Sequence, residues 1–224
     1  MNKQKDFQYL LLNALKEIIT RGNVEVYQLL KKENFISFLF NYSETPNENL
    51  RQIVAECIGK LAIHDIPAYT DLFLQNLQSS NIHRKNTTAF AFRYLCTKNT
   101  SESEINPLVD PIFQLVNETD LNVRKSVLGS LNSLAYNIPR SIHHVHPSFE
   151  NALADVCKFK PELVKEIELG PFKYKVDEGL ALRNSAFSFI DTALQHLLEK
   201  SGIQYIMNQV LIGISKWLPI YKYA

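Results

Sequence analysis

The stretch that most constrains this chain runs from Glu166 to Gly179, Glu-Ile-Glu-Leu-Gly-Pro-Phe-Lys-Tyr-Lys-Val-Asp-Glu-Gly. Nearly everything before and after it carries apolar residues at helical spacing, whereas this stretch alternates residue by residue. Ile167 and Leu169 fall on one side of an extended chain, Glu166 and Glu168 on the other. After Gly170-Pro171 the alternation resumes, with Phe172, Tyr174 and Val176 apolar and Lys173 and Lys175 charged. Period-two alternation about a glycine-containing turn predicts a β-hairpin over about residues 166–178.

With Gly170-Pro171 as a two-residue turn, the register places Leu169 opposite Phe172, Ile167 opposite Tyr174, Glu168 opposite Lys173 and Glu166 opposite Lys175. One face then holds apolar pairs and the other opposite-charge pairs, each contributing about 0.2–1 kcal/mol. A one-residue slip would move charge onto the apolar face. Glycine first and proline second is compatible with a type II′ turn, and a longer loop is the alternative. A lone two-stranded hairpin is marginal in water and leaves two free edges and an apolar face that needs a cover. Two readings stand at this point. The face folds back on the chain's own helices, or it projects as a finger toward a partner protein.

The remainder reads as helices joined by short loops. Helical patterns cover Asp6 to Arg21, Val26 to Tyr42 with a break near Asn34, Glu48 to His64, Pro67 to Gln78, Ile82 to Thr97 and Ile105 to Val116. They continue over Leu121 to Tyr136, capped by Asp120, then Pro147 to Phe159, Leu180 to Lys200 and Ile203 to Trp217. Ser43 to Asn47 and Asn99 to Glu104 read as loops, and Ile138 to His146 as an irregular or short helical connection. The first helix carries an apolar stripe of Phe7, Leu10, Leu11, Ala14, Leu15, Ile18 and Ile19, and the helix from Glu48 turns Leu50, Val54, Cys57, Ile58 and Leu61 inward.

The helix pairs share a signature at the start of the first helix of each pair: Asn49-Leu50-Arg51, Ile82-His83-Arg84, Asn122-Val123-Arg124 and Ala181-Leu182-Arg183. Successive arginines are 33, 40 and 59 residues apart. A period near 40 with two helices per unit predicts HEAT or armadillo repeats. The long last interval is one repeat plus an insertion, and the insertion contains the alternating stretch. Such additions map to one face of a solenoid, often the binding face. The expected fold is therefore all-α, a HEAT-repeat solenoid of about five helix pairs over residues 1–224 with one inserted β-hairpin. The first stripe begins within the opening residues, and the chain closes on Trp217, Leu218, Ile220, Tyr221 and Tyr223, so neither end has the polar face of a capping repeat. We expect the chain to be part of a longer array, or its ends to meet other proteins.

Composition narrows the function. A net charge of +1 gives no case for nucleic-acid or membrane attraction. The 7 glycines argue against glycine-rich phosphate loops and an all-β fold. No apolar run reaches a membrane span, and Met-Asn-Lys-Gln-Lys leads straight into a helix, so no secretory signal is expected. Cys57, Cys96 and Cys157 each sit in a helical apolar pattern and read as reduced core thiols of an intracellular protein. His143, His144 and His146 lie in a loop without a neighbouring carboxylate or cysteine at ligand spacing, which reads as a solvated loop rather than a metal site. With no phosphate cradle, serine elbow or zinc-protease helix, we expect no catalysis, metal or cofactor.

The run from Lys160 to Phe187, with Glu168-Leu169-Gly170-Pro171-Phe172-Lys173 at its heart, closely resembles the C-terminal region of the cullin-associated, neddylation-dissociated family, also called the TATA-binding-protein-interacting family. Leu15-Lys16-Glu17-Ile18-Ile19, the run Val54 to Leu61, and Asp120-Leu121-Asn122-Val123-Arg124 resemble the same region in the same order. The resemblance implies a HEAT-repeat solenoid that wraps a cullin, carrying its RING subunit, that lacks the ubiquitin-like tag. It implies that the hairpin occupies the cullin surface used by the substrate-receptor adaptor, so that the protein competes with adaptor and F-box-type receptor and promotes their exchange. The docking face would be Ile167, Leu169, Phe172, Tyr174 and Val176, with Gly170 and Pro171 shaping the tip and Glu168 and Lys173 beside it.

Family members are several times longer, so either a second polypeptide carries the N-terminal repeats or the sequence is a fragment of a longer chain, and Lys216 to Ala224 departs from the family pattern. A cytoplasmic and nuclear location follows from the same resemblance. The rival expectations are another HEAT scaffold, of transport or phosphatase type, and a transcription-associated partner of the TATA-binding protein. Nucleic-acid binding by a helical-repeat protein would need a basic stripe that a near-neutral chain does not promise.

Overall fold

The computed structural model describes residues 3–142, 147–169 and 172–197. Within them lie ten α-helices and one two-stranded sheet. The chain divides into two compact units, Met1–Phe113 and Gln114–Ala224. The fold is the all-α repeat type with an inserted hairpin, as the period and the alternating stretch predict.

The first unit holds α1 (Lys3–Arg21), α2 (Val24–Lys32), α3 (Phe35–Tyr42), α4 (Glu48–Ala62), α5 (Ile66–Leu77), α6 (Ile82–Leu95) and nearly all of α7 (Glu102–Gln114). The break near Asn34 is real: Asn34 takes the left-handed conformation, φ 49° and ψ 40°, which asparagine tolerates better than most residues. Asparagine or aspartate also opens several helices. Asn23, Asn47 and Asp65 accept from the backbone amides of Val26, Leu50 and Ala68, and Asn81 accepts from those of His83 and Arg84. Each such cap satisfies amides that the helix cannot pair internally.

Helix α4 is central in this unit, packing against α1, α3 and α6. Leu50, Val54, Cys57, Ile58 and Leu61 are all buried, as their spacing predicts. Gly59 lets α4 approach α6: a Cβ there would fall 2.5 Å from the Ala91 carbonyl oxygen and 2.5 Å from Tyr94 Cβ. The stretch read as a loop to Glu104 is shorter than expected, because α7 begins at Glu102. Glu102 and Glu104 stand in its first turn, where negative charge favours a helix N-terminus.

The second unit holds α8 (Leu121–Asn137), α9 (Pro147–Cys157), β1 (Val164–Leu169), β2 (Phe172–Asp177) and α10 (Leu180–Leu197), with short 3-10 turns at Leu115–Asn117, Pro139–Ile142 and Pro161–Leu163. Asp120 caps α8 by accepting from the amides of Asn122 and Val123. The core lies between α8, which buries Val123, Val127, Leu131 and Leu134, and α10, which buries Leu182, Ala186 and Ile190, with α9 also against α10. The hairpin fills the insertion between α9 and α10. The histidines at 143, 144 and 146, the turn Gly170-Pro171, the helix expected over Ile203 to Trp217 and the divergent end from Lys216 lie outside the described residues.

Candidate partner-docking hairpin

The two strands pair antiparallel in the register predicted from the sequence: Leu169 with Phe172, Glu168 with Lys173, Ile167 with Tyr174 and Glu166 with Lys175. Lys165 opposite Val176 and Val164 opposite Asp177 extend the ladder to the helix end. The alternation therefore sends Ile167, Phe172, Tyr174 and Val176 to one face. They do not fold back on the helices. Phe172 is 62% exposed, Tyr174 50%, Ile167 43% and Val176 41%. The Phe172 and Tyr174 rings sit 6.4 Å apart, tilted at 54°, and together make an aromatic step along β2.

The opposite face is charged. Lys173 reaches Glu168 at 3.5 Å, the pair expected from the register, and lies closer, at 3.0 Å, to Glu166 on the diagonal. Lys165, which lies opposite Val176 at the base of the apolar face, pairs with Glu178 at 2.8 Å. These are solvent-exposed ion pairs, each worth about 0–1 kcal/mol, enough to bias the register but not to hold the hairpin down.

The base of the hairpin carries a feature that motif reading missed. Arg183, in the first turns of α10, is only 1% exposed. Its guanidinium donates to both carboxylate oxygens of Asp177, the last residue of β2. The guanidinium carbon also lies 5.4 Å from the Phe159 ring centroid. The backbone amide of Gly179 donates to Asp177 Oδ1 at 2.9 Å, and the Glu178 amide donates to the Leu163 carbonyl at 3.0 Å.

Arg183 belongs to the repeated arginine series, and its sister positions make related ties. Arg51 donates to the Thr45 carbonyl, Arg84 pairs with Glu44 and Asn41, and Arg124 faces Asp155. The recurrence was legible in the sequence. That the last member grips the insertion was not.

A second apolar surface lies on the opening helices. Phe7, Leu10, Leu11 and Ile18 of α1 are more than half exposed, and so are Val24 and Leu29 of α2. From the α1 stripe, Ile19 is fully buried, and Leu12 joins it from outside the stripe.

The chemistry of the remaining groups is that of a scaffold interior. Burial pushes the Cys57 thiol up to about 12 and the Cys157 thiol up to about 11, and raises Cys96 further still. Among the described residues no cluster of three histidine, cysteine, aspartate or glutamate side chains could hold a metal, and no helix is long and apolar enough to cross a membrane.

Residues 141–216 match the family described as TATA-binding protein interacting (TIP20). The chain is 31% identical over 203 residues to cullin-associated NEDD8-dissociated protein 1 of Arabidopsis thaliana, covering 89% of this chain and 17% of that protein. It is 31% identical over 222 residues to the protein of the same name from Dictyostelium discoideum, covering 96% and 18%. It is 29% identical over 222 residues to the C-terminal part of cullin-associated NEDD8-dissociated protein 1 from Emericella nidulans, covering 96% and 21%. The chain thus spans no more than 21% of the length of these curated relatives.

Proposed function

The chain belongs to the cullin-associated NEDD8-dissociated family, as its C-terminal HEAT-repeat region, and on that premise we propose that it is a non-catalytic cullin-binding assembly factor. It docks on an unmodified cullin carrying its RING subunit, competes there with the adaptor and F-box-type receptor, and so regulates assembly and exchange of the ubiquitin ligase. The observation that carries this reading is the hairpin, whose apolar face of Ile167, Phe172, Tyr174 and Val176 stands open rather than packed on its own helices. A row of exposed aliphatic and aromatic side chains on a paired, in-register scaffold is what a protein surface can bury, with the aromatics as anchors.

The exposed stripe on α1 and α2 supports a further part of the same reading. An unburied repeat face needs a neighbouring repeat against it. In this proposal Phe7, Leu10, Leu11 and Ile18 receive a further helical repeat of the longer relatives, supplied either by the same chain or by a second polypeptide. The working compartment is the cytoplasm and nucleus.

The test is a titration of this chain against unmodified cullin with its RING subunit, in the presence and absence of adaptor. Binding that adaptor displaces, and that Phe172→Asp with Tyr174→Asp removes, is the expected result. Binding unaffected by both adaptor and the double variant would refute hairpin competition. Co-purification of a transport cargo or a phosphatase in place of a cullin would favour another HEAT scaffold.

A further inference from the structure

We propose that Asp177 and Arg183 are positioning residues that set the direction in which the hairpin presents its apolar face, and that partner docking depends on their pairing. The inference rests on the reading of the hairpin as a docking element, and it explains how an exposed two-stranded hairpin is kept in one orientation.

The strands extend from the helical core with both faces exposed over most of their length, so their direction must be set at the base. Arg183 is buried there, against the Phe159 ring, and forks onto both oxygens of Asp177. A planar guanidinium held by two contacts fixes angle as well as distance, which a single ammonium contact would not. Asp177 is fixed in turn by the Gly179 amide on Oδ1.

The site leaves no slack for an alternative: a Cβ at Gly179 would stand 2.9 Å from Arg183 Nη1 and 2.9 Å from Leu163 Cδ1. The clamp also engages the charged side of the hairpin, since Asp177 shares a strand face with Lys175 and Lys173. The face with Phe172, Tyr174 and Val176 is left free. Because α10 is packed against α8 and α9, the hairpin is tied to the core of its unit. A finger held in its docking orientation avoids the ordering cost that a swinging one would incur on binding.

The experiment uses the full chain and an unmodified cullin carrying its RING subunit. It compares Asp177→Asn, which keeps shape and removes charge, Arg183→Lys, which keeps charge and removes the fork, and Asp177→Glu, which keeps a carboxylate. Phe172→Asp with Tyr174→Asp serves as the control for the docking reading. Amide hydrogen exchange of residues 164–177 and of α8 and α10 is followed without cullin. The expected result is about tenfold weaker binding for Asp177→Asn and Arg183→Lys, with partial recovery in Asp177→Glu. Faster exchange should be confined to the hairpin.

Wild-type affinity in Asp177→Asn and Arg183→Lys, alongside lost binding in the aromatic double variant, would overturn the clamp and leave the docking reading standing. Wild-type affinity in the aromatic double variant would overturn the docking reading, and the clamp with it. Faster exchange in α8 and α10 as well would assign the pair to general stability and overturn the positioning role.

Discussion

Ile167 and Tyr174 lie directly opposite each other across the hairpin, and each is about half exposed. The contact they make with each other, about 0.2–1 kcal/mol for such a pair, helps hold the register. The area they leave uncovered is what a partner can bury. One pair thus serves both the local fold and the proposed docking surface.

Within that surface the energy should concentrate on the largest apolar anchor. Phe172→Ala is expected to weaken cullin binding at least about tenfold, and Lys173→Ala, on the charged face, by about threefold or less. Both residues are exposed, so both variants should unfold within about 0.5 kcal/mol of the parent. Calorimetric titration and urea unfolding check the two halves. Equal losses at the two positions would place the partner on the charged face instead.

The stripe on α1 predicts a separable association. Leu10→Glu with Leu11→Glu should leave the helical signal and the unfolding midpoint near those of the parent, because both side chains are already more than half exposed. The same variant should lose association with a polypeptide carrying the N-terminal repeats, read by size-exclusion chromatography with light scattering. A large drop in stability would mean that the stripe packs within the chain itself.

Two helical glycines should respond in opposite directions to the same substitution. Gly59→Ala drives a methyl to 2.5 Å from the Ala91 carbonyl oxygen and Tyr94 Cβ, where α4 and α6 meet. The expected loss is about 1–3 kcal/mol. Gly129→Ala, in α8, meets nothing within 4 Å and should gain up to about 1 kcal/mol from helix propensity alone. Denaturant unfolding of each variant decides the sign.

The buried thiols give a pH window. A thiol whose folded pKa lies above its unfolded value keeps its proton longer in the folded chain. Its contribution to stability is therefore whole below the unfolded value of about 8.5 and declines as pH rises above it. The decline runs toward about 11 for Cys157 and about 12 for Cys57. Unfolding midpoints should fall between pH 8 and 10, and Cys57→Ala should lessen the slope. Iodoacetamide at pH 8 should label the native chain far more slowly than the urea-unfolded one.

Much of the hairpin was legible in the chain itself, down to which residue faces which. Alternation has a period of two, so once Gly170-Pro171 is taken as the turn, Lys173 and Lys175 stand opposite Glu168 and Glu166 and stay off the face of Ile167. The helix starts at Asn47, Asn81 and Asp120 were equally legible, since a cap is a contact between near neighbours. Inward faces such as Leu50, Val54, Cys57, Ile58 and Leu61 follow from a period of 3.6.

Which apolar stripe is covered was not a local matter. The stripe on α1 has the same spacing as the one on α4, yet α4 is buried by α1, α3 and α6 while most of α1 stands open. The destination of the apolar hairpin face and the partner of Arg183 were open for the same reason. Spacing along the chain states that a residue is apolar on one side or charged at one place. Only the packing of segments distant in sequence decides what stands opposite, and here it left the Ile167–Tyr174 face free and closed Arg183 onto Asp177.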